Sequence, residues 1–314
     1  MKKYKPYLGR VDLVKNQVER EKLAEQEATS KRKRSIQQQN KQRWLKYQEQ
    51  LRSELAARYF HSVISAGGDA DTFSNTKSLN FDGTDAYLEG SSNYTLLDGQ
   101  SKATFSAWIK AGSLTSQSYL FAIGGSTTVF QVAARLQSIS ATDARVWFYI
   151  GDASNSARAY ANLGSIKNDG QWHHLMICMD LVTFSSFDEV DFFLDGNLLT
   201  TNGYYNPTSL VNSATALAIG NRENPNTGLM VGSIDEFAIW SGTDLRASAA
   251  TIYNDGVPSD LNNNDLTAPT TWFRMGDEAT VVGDDITIPD QIGTYDLTSE
   301  GMVAADVQED TPGS

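Results

Sequence analysis

Three carboxylates raise the first chemical question. In Ile234-Asp235-Glu236-Phe237-Ala238-Ile239-Trp240 the side chains of an extended strand alternate, which puts Asp235 on one face with Phe237 and Ile239. A carboxylate on an apolar face costs several kcal/mol unless it is paired, hydrogen-bonded or bound to metal. Asp82, at the end of the Leu79/Phe81 run, and Asp85, just after the following turn, add two more hard oxygens. Oxygen ligands from separated segments suit a structural Ca2+ better than zinc. The alternative is that Asp82 and Asp235 accept backbone N–H bonds from loops, and the residues alone leave both open. Other chemistries find less support. His173 and His174 are adjacent and point to opposite faces of a strand, and the third histidine is the distant His61. No Gly-x-Ser-x-Gly occurs. Cys178 is the only cysteine, so an intrachain disulfide is excluded; in Met176-Ile177-Cys178-Met179 it is a small apolar filler of a buried strand.

A second constellation suits a polar ligand. Segments 154–156, 202–206 and 221–227 have loop composition, and they hold Tyr204, Tyr205, Asn221, Arg222 and Asn224. An aromatic ring stacks on the apolar face of a pyranose while amide and charged side chains take its hydroxyls. Ordinary turn composition is the competing explanation.

The elements that must carry these residues fall into two parts. Residues 1–62 hold sixteen lysines and arginines against seven acids, and the remainder holds ten against thirty-one. Such asymmetry marks two parts with different partners. Residues 10–62 are rich in good helix formers and predict an α-helical arm. Trp44, Tyr47, Leu51, Leu55 and Tyr59 form a single amphipathic face for docking on another chain or a sister copy, or on this chain's own β domain. Lys31-Arg32-Lys33-Arg34 is a basic patch without aromatic or Gly/Ser interleaving. It therefore reads as a solvated, partner-facing surface more than a nucleic-acid contact. Ala66-Gly67-Gly68-Asp69 stops the helix.

From Lys77 onward the texture is all-β, with Gly, Asn, Asp and Ser at regular intervals. Ala103, Phe105, Ala107 and Ile109 alternate with Thr104, Ser106, Trp108 and Lys110, the period of a strand. Further strands are expected over 118–123, 127–134, 144–150, 158–163, 172–180, 190–194, 216–219 and 231–240, and Asp195-Gly196 marks a hairpin. The expected organisation is a basic helical arm over 1–62, a linker over 63–76 and a two-sheet β sandwich over 77–314. The N-terminal residues lack the apolar core of a secretion signal, and no run is long enough to span a membrane. The expectation is therefore a soluble protein made in a cytoplasm.

Five segments, in order, resemble laminin-G-like domains of the concanavalin superfamily: Ser78–Leu88 (SLNFDGTDAYL), Thr104–Lys110 (TFSAWIK), Gly170–Leu175 (GQWHHL) with Val190–Gly196 (VDFFLDG), Ala218–Arg222 (AIGNR), and Ile234–Trp240. The resemblance implies a mainly β fold, an antiparallel jelly-roll sandwich preceded by the α-helical arm. It also implies binding of carbohydrate or of a protein surface, with calcium near Asp82 and Asp235. Some members of that superfamily are retaining glycosidases carrying Glu-x-Asp-x-x-Glu, whose nucleophile and acid stand ~5 Å apart. Here the nearest match is Glu189-Val190-Asp191-Phe192-Phe193-Leu194, and Leu194 stands where the acid is required. Beyond these, Trp272-Phe273-Arg274-Met275-Gly276-Asp277, Pro289-Asp290-Gln291-Ile292-Gly293 and Asp296-Leu297-Thr298 resemble the tail of such domains in marine bacteriophage structural proteins. The expectation is thus a non-enzymatic phage virion protein of the tail-fibre or appendage type. Its arm anchors to other virion proteins or to further copies of itself, and its sandwich binds a host-surface glycan or a neighbouring virion protein. A neck, cement or capsid-decoration protein without a glycan ligand is the alternative; a glycoside hydrolase is the least supported.

Overall fold

The computed structural model describes residues 73–114, 117–124, 131–151, 156–181, 190–204, 215–222, 228–263 and 266–313. These lie in the second of the two units into which the chain divides, Ala70–Ser314. The expected helical arm, with Lys31, Arg32, Lys33, Arg34, Trp44, Tyr47, Leu51, Leu55 and Tyr59, lies outside the described residues.

Among the described residues the fold is two antiparallel sheets packed as a sandwich, consistent with a jelly roll. The first sheet runs β10 (Asn197–Leu198), β9 (Val190–Leu194), β8 (His173–Asp180), β3 (Lys102–Ala111), β13 (Val231–Ser241), β1 (Ser78–Asp82) and β18 (Val307–Gln308), with β14 (Thr271–Phe273) also paired to β13. The second runs β11 (Asn202–Tyr204), β7 (Ser156–Gly164), β6 (Ala144–Gly151), β5 (Val132–Ser138), β4 (Gln117–Ile123), β12 (Leu217–Ile219), β2 (Tyr87–Gly90), β17 (Leu297–Glu300), β16 (Asp285–Ile288) and β15 (Thr280–Val282). The C-terminal segments 272–277, 289–293 and 296–298, expected as a tail beyond the domain, flank strands built into the sandwich: β14 extends one sheet and β15 to β17 the other. Asp195 and Gly196 both take positive φ (51° and 74°), the conformation of a tight two-residue hairpin turn, and join β9 to β10.

Period two decides which residues meet inside. Ala103, Phe105, Ala107 and Ile109 of β3 face the core, as their alternation predicts, against Ala134 and Leu136 of β5 and Val146, Phe148 and Ile150 of β6. Phe105 stacks on Phe121 at 4.9 Å between centroids and lies 5.4 Å from Phe148, while Phe237 meets Phe121 at 5.3 Å. This ring cluster bridges the two sheets. Burying each such side chain contributes about 1.5–3 kcal/mol.

β13 breaks the period, and with it one expectation. Ile234 pairs with Ile109 and Asp235 with Trp108, but the next pair is Ala238 with Ser106, so Glu236 and Phe237 together oppose Ala107. Glu236 takes φ 50°, the left-handed conformation of a β-bulge residue. Phe237 and Ile239 therefore return to the core, whereas Asp235 stays opposite Trp108 on the outer face. Asp235 does not share a face with Phe237, contrary to simple alternation. That outer face has its own small core: Met176, Cys178, Phe193, Ala238, Trp240 and Trp272 pack under Leu245, Leu261 and the short helix α1 (Ala249–Tyr253).

Replacing Phe105 by Ala should destabilise the protein by about 3–5 kcal/mol, because the ring is lost from both sheets at once and the site cannot collapse. Urea unfolding of the full chain measures this, and a loss below about 1 kcal/mol would refute the bridging role.

Candidate ligand-binding face

The outer face of the second sheet is built by alternation in three consecutive strands. β6 sends Val146, Phe148 and Ile150 inward, so Arg145, Trp147 and Tyr149 face outward. β5 does the same with Arg135 and Gln137, and β7 with Arg158, Tyr160 and Asn162. Register aligns them in rows across the strands. Tyr119 opposes Arg135, Arg135 opposes Trp147, and Trp147 opposes Tyr160. The row beside it holds Tyr149 opposite Arg158, and on β11 the Tyr204 backbone pairs with Arg158.

Every arginine of this face rests on a ring. The Arg145 guanidinium lies 4.2 Å from the Tyr160 ring centre and 5.8 Å from that of Trp147, and donates to Asn162 Oδ1 at 3.0 Å. Arg158 sits 5.7 Å from the Trp147 ring, Arg135 5.2 Å from Tyr149, and Arg222 5.6 Å from Tyr119. Trp147 Nε1 donates to Gln137 Oε1, which fixes the indole plane. Its ring packs beside Tyr160, with centroids 4.6 Å apart. Burial raises the Tyr149 phenol above its ordinary range, against the lowering influence of Arg135 and Arg158. The result is an aromatic surface in which Trp147 and Tyr160 are half-buried and Tyr119 and Tyr149 buried, studded with fixed cations, each held by cation–π contact.

The residues singled out in the sequence divide between this face and elsewhere. Arg222 reaches it through Tyr119. Asn221 is buried, and its Oδ1 accepts the Arg222 backbone N–H at 2.7 Å, so it shapes the loop instead of facing a ligand. Tyr205 and Asn224 lie outside the described residues. The three carboxylates do not form one metal site. β1 pairs with β13 so that Asp82 opposes Val231, four residues from Asp235, a separation of about 13 Å along the strand. Asp82 Oδ1 accepts the Thr84 N–H at 2.7 Å and the Asp85 N–H at 3.4 Å. Despite slight burial, these backbone bonds hold it below the ordinary carboxylate range. Asp235 accepts from Asn75 Nδ2 and from the Glu236 N–H, each at 2.9 Å. Among the described residues no three His, Cys, Asp or Glu side chains gather as a metal group.

The other buried polar cluster lies under α1. Ser106 Oγ and His174 Nε2 are 2.8 Å apart, and burial pushes His174 down to about 4. Among the described residues no carboxylate bonds the His174 ring: Asp195 bonds His173 Nδ1 and the His174 backbone N–H. The cavity beside Ser106, His174 and Glu236 measures about 10 Å³, room for one water and not for a substrate. Glu236 accepts from Trp272 Nε1 at 2.6 Å and Arg274 Nε at 3.3 Å. Burial nonetheless raises it to about 7, against the pull of Arg274, and raises Asp235 beside it.

Sequence reasoning missed Arg135, Arg145, Trp147, Tyr149, Arg158 and Tyr160. A signal was present. Arg145-Val146-Trp147-Phe148-Tyr149-Ile150 alternates aliphatic or Phe with large polar-tipped residues, and Arg158-Ala159-Tyr160-Ala161-Asn162 repeats the pattern.

Residues 82–249 match the family model described as the concanavalin A-like lectin/glucanases superfamily. No curated protein matches the chain. Similar solved structures include a heptameric SAP-like pentraxin from Limulus polyphemus, at 15% identity and TM-score 0.45, covering 57% of this chain and 82% of that one. Another is the enzymatically active domain of bacteriophage CBA120 tailspike protein 2, at 12% and 0.42, covering 58% of this chain and 28% of that one. A third is the Ruminococcus gnavus IT-sialidase CBM40 bound to α2,3-sialyllactose, at 11% and 0.39, covering 55% and 94%.

The upward shift that burial imposes on Asp235 and Glu236 predicts a pH dependence. A carboxyl whose folded pKa lies above its unfolded value adds stability that is fully present below about 4.5 and is lost as pH rises through about 7. Urea midpoints taken from pH 4.5 to 7.5 should fall across this window, and Glu236→Gln should flatten the slope. An equal slope in the variant would contradict the assignment.

Proposed function

Because this chain belongs to the concanavalin A-like lectin/glucanases superfamily, we propose that it is a carbohydrate-binding protein that does no chemistry on its ligand. The binding surface is the outer face of the second sheet. The observation that carries this is the half-buried Trp147–Tyr160 pair, immobilised beside the buried Tyr149 ring while Arg145, Arg158, Gln137 and Asn162 frame it. Rings stack on the apolar faces of sugars, and the surrounding donors and acceptors take hydroxyls. Holding those side chains in place before binding lowers the entropy lost on binding.

Three observations support the absence of catalysis. Leu194 replaces the acid of the glycosidase pattern. Asp191, the central carboxylate of that pattern, is committed to an ion pair with Arg246 at 2.7 Å. The Ser106–His174 pair is closed off beneath α1.

The resemblance of segments 272–277, 289–293 and 296–298 extends the proposal to location: a bacteriophage virion. Residues 1–62 then serve as the anchor to other virion proteins or sister copies, 63–76 as the linker, and 77–314 as the glycan-facing sandwich. Among the described residues, no helix is long and apolar enough to cross a membrane.

A glycan array probed with the full chain should show binding that Trp147→Ala weakens at least about tenfold, the ~1.4 kcal/mol of one ring contact, at a temperature where circular dichroism shows both proteins folded. Binding that survives this substitution and Tyr160→Ala would move the site elsewhere. Mass spectrometry of purified particles tests the virion placement, and absence of the chain from them would end it.

A further inference from the structure

The charge of the face is anomalous for this molecule. From residue 63 onward the chain holds ten lysines and arginines against thirty-one acids, yet four of those ten, Arg135, Arg145, Arg158 and Arg222, rest on the rings of one face. On the first sheet the arginines are neutralised: Arg246 pairs with Asp191 and Asp244, and Arg274 with Glu236 and Asp277. Lys102 and Lys110 likewise pair with Asp180 and Asp310. Arg135 and Arg145 have no carboxylate partner among the described residues, although carboxylates outnumber cations threefold. The buried Arg135 Nε–H has no hydrogen-bond acceptor among them either. Gathering like charges on a rigid sheet works against folding, and leaving a buried donor unsatisfied costs about 1–3 kcal/mol more. Functional sites are where such departures are retained.

Resting on the carbohydrate-binding reading, we infer that the ligand of this face is an acidic glycan, a polysaccharide carrying carboxylate or sulfate groups. The rings take the sugar faces, and the guanidiniums take the anions. A planar guanidinium presents N–H donors in a fork that matches carboxylate and sulfate oxygens, and stacking on a ring leaves its edge free to donate. Arg145 is the central specificity residue, because it rests against Tyr160 and Trp147 with Asn162 as its one side-chain acceptor among the described residues. Arg135 flanks the same indole in the row across the strands. The surrounding acidic body repels polyanions at long range, so recognition depends on close contact with this cluster and not on overall charge.

The test compares dextran, carboxymethyl dextran and dextran sulfate of matched length, bound to the full chain by biolayer interferometry. At least one acidic derivative should bind about tenfold or more tightly than dextran, as charge-assisted hydrogen bonds require, with the preference falling as NaCl rises. Comparison of the two derivatives tells carboxylate from sulfate. The double variant Arg135→Gln with Arg145→Gln should abolish the preference without lowering the melting temperature, since the cluster works against folding. Residues 1–62 are basic themselves, but they are identical in every protein compared, so the difference reports the face. Lys77→Gln with Lys102→Gln removes the same charge away from the face and should leave the preference intact. Equal binding of dextran and both derivatives overturns the inference while the carbohydrate reading stands. So does a preference that the arginine variant leaves unchanged or that the lysine variant lowers equally. Failure of every glycan to bind, on the array and here, overturns both.

Discussion

Phe105 from one sheet lies against Phe121 and Phe148 from the other, and Phe237 closes the group. This contact does more than stabilise. Side chains of a strand alternate, so fixing Phe148 inward fixes Trp147 and Tyr149 outward, and a slip of one residue would exchange the two sets. The inner rings thereby determine the outer ones. The neighbouring aliphatic residues Val146 and Ile150 enforce the same choice, which is why β6 can carry three large residues to the surface without ambiguity.

The two outer faces of the sandwich meet the same physical problem differently. Both carry arginine, and a guanidinium out of bulk water needs compensation. The first sheet supplies carboxylates, with the Phe73 ring also under Arg274, and covers the result with α1 and the residues up to Leu261, leaving a buried polar cluster where burial lowers His174 and raises Asp235 and Glu236. The second supplies aromatic rings, which compensate the cation yet leave its edges able to donate. One face is therefore internal scaffolding, while the other keeps apolar area beside Arg135 and Arg145, which have no carboxylate partner among the described residues.

Much of the fold was legible before any coordinates. Most strand positions follow from alternation, and the Asp195-Gly196 turn from the need for two positive φ angles, but β5 runs on to Ser138 past the expected end at 134, and 202–204, expected as loop, pairs with β7 as β11. Asp235 was misplaced because a bulge depends on how β13 is matched to β3. Glu236, the residue that takes the left-handed conformation, belongs to a type that carries no local signal for it. Asp82 and Asp235 looked like partners because strand register, which holds them apart, is a pairing property absent from either segment alone. The ligand face was half visible: the alternation in β6 and β7 could be read, but that Arg135, Trp147 and Tyr160 form one row required the register of three strands. Binding residues usually gather in loops, and of the loop candidates Arg222 joins the face.

The pairing of β1 with β18 carries a consequence for how the molecule is made. Ser78 hydrogen-bonds across to a strand that contains Gln308, so during synthesis almost the entire domain must emerge before that edge finds its mate. Until then β1 offers bare amides and carbonyls beside Leu79 and Phe81, a template for intermolecular association. Contacts so distant in the chain also slow closure. Crowded translation of many copies would expose this unfinished edge, and a companion that shields it during manufacture would raise the yield of correctly folded protein.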